Sequence, residues 1–310
     1  MRSRDIVRKA WQITQVHLKK LIWYGIAPAF LTLVVTTAYL AYQYEAFMNS
    51  VFLTGADNVD VLSVFKMTWD ITVSHPKLSV VFIVLAIIFF VCYIILPPIF
   101  NGTMISAIMR IKQYKQIDGS FEVGVRHFFP MFEFALLSGA FSINTLFTES
   151  SFILRWWGEN IYFMFLPILL FIATIGIIVN FLFTYTEFFI VLEGKSLIKS
   201  LMESTILVIS NLRKTFLVFV LMMLIGVRIL LNMLLVLIVP MIAIFLAGYF
   251  ATTIFSMAGL IIIGIFSLLM LFLSSYLLGL FHVFATAVWV ITFSYLTERS
   301  KEEKEVEETI

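Results

Sequence analysis

Formal charge is scarce in this 310-residue chain, and one long stretch has none. Lys, Arg, Asp and Glu make up 13% of the residues, against roughly 25% in soluble domains. None of them occurs in the 69 residues from 229 to 297. A single helix of that length would extend ~100 Å, far beyond a ~30 Å hydrocarbon core. The run therefore predicts a membrane-embedded helical hairpin that turns between Gly248 and Gly259, and it excludes a water-soluble fold.

The sequence also lacks the residues that common catalytic and metal sites require. The only cysteine, Cys92, excludes a disulfide within the chain and a cysteine-based metal site. The four histidines lie far apart without metal-ligand spacing, and no glycine-rich phosphate loop is present. Acids, histidines and nucleophiles do not cluster at one depth. We therefore expect a non-enzymatic protein with no metal and no cofactor.

Apolar residues make up most of the chain. Hydrophobic residues account for 61% of it, and the mean hydropathy is +1.03. Six charge-poor runs are continuously apolar and do not alternate, which predicts spanning helices and not barrel strands. The predicted fold class is all-α, a polytopic integral membrane protein with one transmembrane domain over residues 1–297. The predicted spans are residues 21–44, 78–97, 129–147, 161–186, 215–245 and 258–295, followed by a charged tail at 298–310.

Positive charge is sorted to one side of these six spans. Seventeen of the 21 Lys and Arg residues fall in the N-terminal arm, after spans two and four, or in the tail. Only Lys66, Lys77 and Arg155 fall on the opposite side. Since cytoplasmic segments are enriched in Lys and Arg, we predict a cell-membrane protein with both termini in the cytoplasm. Trp69 and Trp156-Trp157 are placed for an outer aromatic belt.

Each odd-numbered span follows a segment with amphipathic helical spacing. Residues 5–20 and 196–214 place apolar side chains on one face and basic or polar side chains on the other. Residues 120–129 form a shorter version after a turn at Asp118-Gly119. Such helices lie in the membrane interface on the cytoplasmic side. They favour a threefold repeat of one interfacial helix and a two-span hairpin, although alternating topology alone also explains the pattern.

The middle of the chain, about residues 90–245, resembles a known family. Residues 189–195, Phe-Ile-Val-Leu-Glu-Gly-Lys, end a span and precede a serine-bearing amphipathic helix, and Pro97-Pro98 opens a matching earlier half. This pattern is similar to the membrane domain found beside glycerophosphoryl diester phosphodiesterases and to its stand-alone bacterial relatives. The resemblance implies a six-span helical fold. It does not imply phosphodiesterase activity, which belongs to a separate soluble barrel domain without a counterpart here.

Arg228 is the main candidate for a binding residue. It follows Lys214 by 14 residues, which places it ~21 Å into the membrane. Asn232 lies on the same helix face at i+4, and Asn144 in span three is predicted at a similar depth. One hypothesis is that Arg228, Asn232 and Asn144 bind an anionic group such as a lipid phosphate. The alternative is that Arg228 snorkels outward or bonds to backbone carbonyls.

Three further polar residues are predicted to have structural roles. Glu193 either caps the following helix or pairs with a neighbouring basic residue, and Glu187 lies near the cytoplasmic boundary. His282 lies inside span six, where we expect a hydrogen bond to another helix.

The function predicted from these features is that of a scaffold, an accessory subunit or a lipid-contacting membrane component. The alternative is a transporter or channel for a small or lipidic solute. Expected partners are membrane lipids and either partner subunits or further copies of the chain, and no nucleic acid.

Overall fold

The computed structural model describes residues 3–48, 74, 76–114, 117–229, 231 and 256–308. Nearly all of these residues are helical and none of them forms a strand, which confirms the all-α prediction. The helices in chain order are α1 (Ser3–Met48), α2 (Pro76–Tyr114), α3 (Ser120–Arg126), α4 (Phe128–Ala140), α5 (Ile143–Leu182), α6 (Thr186–Glu193), α7 (Leu197–Ser210), α8 (Leu212–Ile229) and α9 (Ser256–Glu308).

Several of these helices have the length and apolar character needed to cross a membrane. Four stretches of the described chain qualify singly, and a fifth qualifies when α7 and α8 count as one bent span. The four are Arg4–Tyr44, Ser79–Tyr114, Asn144–Glu193 and Gly264–Arg299. The described helices are therefore those of a membrane protein with several spans.

The stretch Asn144–Glu193 is not one straight rod, because α5 folds back at Gly158. This glycine has φ 78° and ψ 177°, a conformation that only a residue without a Cβ adopts readily. Across it, the hydroxyl groups of Ser150 and Tyr162 are hydrogen bonded at 3.2 Å. A straight helix would hold these residues ~18 Å apart. Asn180, near the end of α5, also bonds to Phe141, just before the start of α5, at 3.1 Å, so the two parts of α5 run antiparallel. The predicted aromatic pair Trp156-Trp157 lies at the turn.

Side-chain contacts give the relative directions of the long helices. α1 and α9 are antiparallel, because Gly25 faces Gly279 while Phe30 stacks on Phe272 with ring centroids 5.5 Å apart. α2 runs parallel to α9, as the pairs Asn101–His282 and Lys112–Ser294 show. α8 runs antiparallel to α9, as Lys214–Tyr295 and Gly226–Phe281 show. α1 runs parallel to the first part of α5, as Tyr39–Thr148 and Gln43–Ser151 show. The long helical segments therefore alternate in direction along the chain.

The predicted third span contains a break. The sequence predicts one helix over residues 129–147, whereas α4 ends at Ala140 and α5 begins at Ile143. Ser142 explains the break, because its side-chain oxygen accepts a hydrogen bond from the Thr145 amide at 3.2 Å and so starts a new helix. The prediction of an unbroken helix here is wrong.

The three predicted interfacial helices also differ from one another. Residues 5–20 continue into α1 without a break, because Ile6, Ala10 and Thr14 are buried in the helix bundle rather than left at a lipid surface. The prediction of a separate interfacial helix is therefore wrong for this segment. The axes of α7 and α8 do meet at 97°, as predicted for residues 196–214. The turn predicted at Asp118-Gly119 is confirmed, with Gly119 at φ 76°.

Three predicted features lie partly or wholly outside the described residues. Of the hairpin turn predicted between Gly248 and Gly259, residues 248–255 lie outside the described residues, and Gly259 belongs to α9. Trp69 and Asn232 also lie outside the described residues.

Burial divides the described helices into two parts. One part, which we call the packed half, contains most of the fully buried side chains, including Leu21, Ile108 and Val288. The other part, the apolar sheath, leaves most of its apolar side chains exposed, as lipid-facing helices do. The packed half comprises residues 3–31, 99–111, 185–208 and 274–296, and the sheath comprises residues 79–95, 159–179, 223–229 and 264–273.

Glycines allow unusually close helix contacts in and beside the packed half. A Cβ added to Gly25 would lie 2.6 Å from the carbonyl oxygen of Gly279, so α1 and α9 touch backbone to backbone. A Cβ added to Gly124 would lie 2.5 Å from the carbonyl oxygen of Ile99, so α3 lies equally close to α2. Small residues serve the same purpose where membrane helices cross.

Candidate functional site

A cavity of about 330 Å³ lies between α2, α4, α5, α6 and α9. Asn101 on its wall precedes Lys112 by 11 residues, ~16 Å along α2, so the cavity is well removed from the basic ends of the helices. Seven polar residues line it: Asn101, Ser138, Asn180, Thr184, Glu187, His282 and Thr286. Polar groups gathered among apolar helices are expected at a functional site rather than a purely structural contact.

The α2 and α9 walls are joined by one hydrogen bond. The His282 Nε2 atom donates to the Asn101 Oδ1 atom at 2.8 Å. The sequence predicts that His282 bonds to another helix, and Asn101 is that partner. With its oxygen engaged, Asn101 offers its amide nitrogen, to which no described residue is bonded.

The opposite wall is held by Asn180 at the break between α4 and α5. The Ser138 hydroxyl donates to the Asn180 Oδ1 atom at 2.9 Å, and the Asn180 amide donates to the Phe141 carbonyl at 3.1 Å. Phe141 lies in the non-helical link where carbonyl groups lack helical partners. Asn180 therefore satisfies the helix break and fixes Ser138 beside the cavity.

Two threonines on the wall also donate their hydroxyl protons to the backbone. Thr184 donates to the Phe181 carbonyl at 2.7 Å, and Thr286 donates to the His282 carbonyl at 2.8 Å. A hydroxyl oxygen that has donated its proton keeps lone pairs that accept hydrogen bonds. The hydroxyl groups of the lining are therefore acceptors towards any occupant of the cavity.

Glu187 supplies the one formally charged side chain among the described lining residues. It lies in the first turn of α6, next to the buried Phe188, whose ring stacks on Phe293 with centroids 5.7 Å apart. No hydrogen bond or ion pair to Glu187 occurs within the described part of the chain. A carboxyl group without a basic partner among apolar helices is costly, and residues of this kind mark ion or substrate sites.

Aromatic rings complete the lining. Phe134, Phe183, Phe188 and Trp289 face the same cavity as Glu187. The Trp289 ring is itself held edge-on against Tyr185 at 5.9 Å. The Tyr185 hydroxyl is hydrogen bonded in turn to Thr215 at 3.2 Å, so the position of Trp289 depends on the packed half.

Glu193 does not belong to this cavity. Its carboxylate pairs with Lys195, which also pairs with Glu203 on α7. Pairing with a neighbouring basic residue is one of the two roles that the sequence predicts for Glu193. Burial alone would lower the pKa of Lys195, but the hydrogen bonds and charges of Glu193 and Glu203 outweigh it and raise that pKa. Lys195 also lies 4.9 Å from the centre of the Phe189 ring. The group ties the end of α6 to α7.

The pocket predicted around Arg228 is not assembled in the described structure. Arg228 on α8 and Asn144 on α5 are both exposed, and no hydrogen bond or ion pair joins them. Asn232 lies outside the described residues. Of the predicted site residues, Glu187 and His282 are the two that the structure brings to one cavity.

Sequence reasoning missed the contributions of Asn101, Ser138 and Thr286, which lie on separate helices. It also missed that Arg155 is buried, with 6% of its surface exposed. The Arg155 Nε atom donates to the Ser151 carbonyl at 3.1 Å, and its guanidinium lies 5.7 Å from the Tyr42 ring centre. No signal in the sequence separates these residues from lipid-facing polar positions, because helix packing decides their neighbours.

Within the described residues, no group of three or more His, Cys, Asp or Glu side chains is placed to hold a metal ion. The cavity therefore offers hydrogen-bond acceptors, one carboxyl group, one imidazole and aromatic faces. These groups can bind and orient a small polar molecule.

Comparison of the chain with family models, curated proteins and solved structures finds no match. The resemblance of residues 90–245 to the phosphodiesterase-associated membrane domain therefore stays a prediction.

Proposed function

We propose that this chain is a non-enzymatic integral membrane protein that binds a small polar solute or a lipid headgroup in the cavity around Glu187 and His282. The observation that supports the proposal is the convergence of seven polar side chains, from five helices and the link between α5 and α6, on one cavity of about 330 Å³. That volume falls at the lower end of the ~300–1,000 Å³ typical of ligand pockets.

Binding fits the geometry better than catalysis does. Acid–base or nucleophilic catalysis needs a reactive group within hydrogen-bond reach of a partner that activates it. In the described cavity His282 is bonded to an amide oxygen, and Ser138 to another amide oxygen. Both bonds hold these side chains in place, and neither of them activates a nucleophile.

We further propose six membrane crossings with both termini in the cytoplasm. The crossings would be α1, α2, α4 with the first part of α5, the second part of α5, α8 and α9. The N-terminal part of α1 and the C-terminal part of α9 support an even number, because Lys9 and Glu298 line one shared cavity. The excess of Lys and Arg at that end supports its cytoplasmic location.

Cysteine accessibility tests this topology. In a Cys92→Ser background, single cysteines at Lys112 and Lys199 should react with membrane-impermeant maleimide only after the inner face is opened. A cysteine at Trp156 should react in intact cells. Labelling of Lys112 and Trp156 from the same side would contradict six crossings.

Native mass spectrometry tests binding in the cavity. Wild-type protein extracted in mild detergent should retain a solute or lipid that Ala285→Phe, which fills the cavity, loses. Ala135→Phe is the matched control, because Ala135 is exposed on α4 and does not line the cavity. Identical bound species in all three proteins would contradict a binding role.

Transport is the second candidate, and the broken helices favour it. The cavity adjoins the break at Phe141 and the three-residue link between α5 and α6. Transporter sites are commonly built at such interruptions. Uptake of the bound species into proteoliposomes, abolished by Ala285→Phe, would establish transport, and binding without uptake would exclude it. The predicted roles of scaffold or accessory subunit, and lipid-phosphate binding at Arg228, stay predictions.

A further inference from the structure

We infer that the cavity binds an organic ammonium group, carried either by a free amine or by a lipid headgroup. This inference rests on the proposed binding function and specifies its ligand class. It depends on three features of the lining: the sign of its charge, the balance of its hydrogen-bond donors and acceptors, and its aromatic faces.

The ionisable groups of the lining favour a cationic ligand. Glu187 contributes a carboxyl group, and no Lys or Arg lines the cavity within the described chain. The nearest basic residue along the chain, Lys195, already pairs with Glu193 and Glu203. A cationic ligand would supply the partner that Glu187 lacks, whereas a phosphate or carboxylate ligand would face uncompensated repulsion in a site of low dielectric constant.

The hydrogen-bond inventory also favours a ligand that donates. The hydroxyl groups of Ser138, Thr184 and Thr286 all donate to protein acceptors and retain only accepting capacity. One of the two N–H groups of the Asn180 amide is likewise engaged with the Phe141 carbonyl. The donors without a described partner are the Asn101 amide, the second N–H group of Asn180 and the Trp289 indole. Acceptors therefore outnumber donors around the cavity, which favours a ligand that donates hydrogen bonds from its ammonium group or from a hydroxyl group beside it.

The aromatic lining suits the apolar part of such a cation. The rings of Phe134, Phe183, Phe188 and Trp289 line the same space as Glu187. Aromatic rings attract ammonium groups through their negative faces, most strongly for tryptophan and at desolvated sites. One carboxyl group combined with several rings suits ammonium groups that carry apolar substituents.

Isothermal titration of the full-length protein in detergent with choline chloride and ethanolamine hydrochloride tests the ligand class. Sodium chloride at equal ionic strength is the reference. Glu187→Gln should weaken binding of either amine at least about tenfold, while Glu187→Asp, which keeps the charge, should retain most of it. Glu133→Gln is the matched control, since Glu133 is an exposed carboxyl on α4 away from the cavity.

A lipid source is tested in the same preparations by native mass spectrometry. Protein incubated with phosphatidylethanolamine, phosphatidylcholine and phosphatidylglycerol should retain the two ammonium lipids if a headgroup is the ligand. Glu187→Gln should lose them and Glu133→Gln should not. Binding of the free amines without such selection identifies a soluble amine instead. Size-exclusion profiles and helical circular dichroism show which variants are folded, and Glu187→Asp supplies a second folded comparison.

The outcomes separate this inference from the function on which it rests. Wild type could instead retain a neutral or anionic species that Ala285→Phe loses, and bind no amine or ammonium lipid. That result would overturn the ammonium inference but would still support a binding function for the cavity. Equal amine binding by wild type and Glu187→Gln would also overturn it. If no species distinguishes wild type from Ala285→Phe, both proposals fail.

Discussion

The packed half and the apolar sheath of this protein both contain many large apolar side chains, but they differ in how far those side chains are buried. In α2, Ile108 is fully buried while Ile87, about six turns earlier on the same helix, is 57% exposed. Both are isoleucines of the same helix. Hydrophobicity therefore explains why α2 is helical and enters a membrane, but it does not distinguish contact with protein from contact with lipid.

The difference lies in what surrounds each half. Residues 99–111 of α2 are enclosed by α1, α3 and α9, where close helix approach leaves no room for lipid. Residues 79–95 have no such neighbours within the described chain. The packed half can therefore hold side chains in fixed positions around a cavity, and the sheath provides a lipid-compatible surface.

The largest expected effect comes from truncating the same residue type in both halves. Ile108→Ala should lower the free energy of unfolding by about 2–5 kcal/mol, because a fully buried side chain leaves a void. Ile87→Ala should change it by no more than about 0.5 kcal/mol. Thermal unfolding in detergent, followed by circular dichroism, measures both. Equal destabilisation would show that the two halves do not differ in packing.

A glycine substitution tests close helix approach, with a somewhat smaller expected effect. Gly279→Ala should cost about 3 kcal/mol, because the added methyl meets the Gly25 backbone at 2.9 Å and neither helix backbone gives way easily. Gly264→Ala on the same helix is the control, since a Cβ there meets no atom of the protein within 4 Å. If Gly279→Ala leaves the free energy of unfolding unchanged, α1 and α9 can move apart without losing stability.

The predicted spans and the structure agree where one property of the local sequence decides the outcome. A continuously apolar run must form a helix in lipid, because unpaired backbone groups are too costly there. The predicted apolar runs accordingly fall on helices wherever the structure describes them, although the run at 129–147 is broken between Ala140 and Ile143. The predicted break between residues 147 and 161 corresponds to the fold-back at Gly158, which the sequence placed only approximately.

The cavity could not be predicted in the same way, because its residues meet only through packing. Asn101 and His282 are 181 positions apart, and Gly25 and Gly279 belong to the first and last described helices. Neither hydropathy nor spacing reports which face of one helix meets which face of another. The same limit applies to Arg228, because counting residues predicts its depth in the membrane but not its neighbours.

A buried hydroxyl gives the next largest effect and tests the polar contacts of the packed half. Ser204 is fully buried; it accepts from the Tyr185 amide at 3.0 Å and donates to the Leu182 carbonyl at 2.7 Å. Ser204→Ala leaves both backbone groups unpaired and should cost about 1–2 kcal/mol. Ser210→Ala, at an exposed position on the same helix, should be neutral in the same melt. A neutral Ser204→Ala would show that water or other groups replace these bonds.

The smallest effect concerns the charges at the edge of the packed half. The side chains of Lys195, Glu193 and Glu203 are each 22–27% exposed, so water screens their attraction and Lys195→Met should cost less than about 1 kcal/mol. Raising the salt concentration should shrink the difference in stability from wild type.

The pH dependence follows from the pKa of Lys195, which the carboxylates raise. The stabilising contribution of Lys195 is complete below its unfolded-state pKa and declines only as pH rises through its folded-state pKa. The difference in melting temperature should therefore stay constant from about pH 6 to 9, with Lys199→Met as the exposed control. A cost of several kcal/mol would mean that ion pairing, rather than the apolar core, holds α6 against α7.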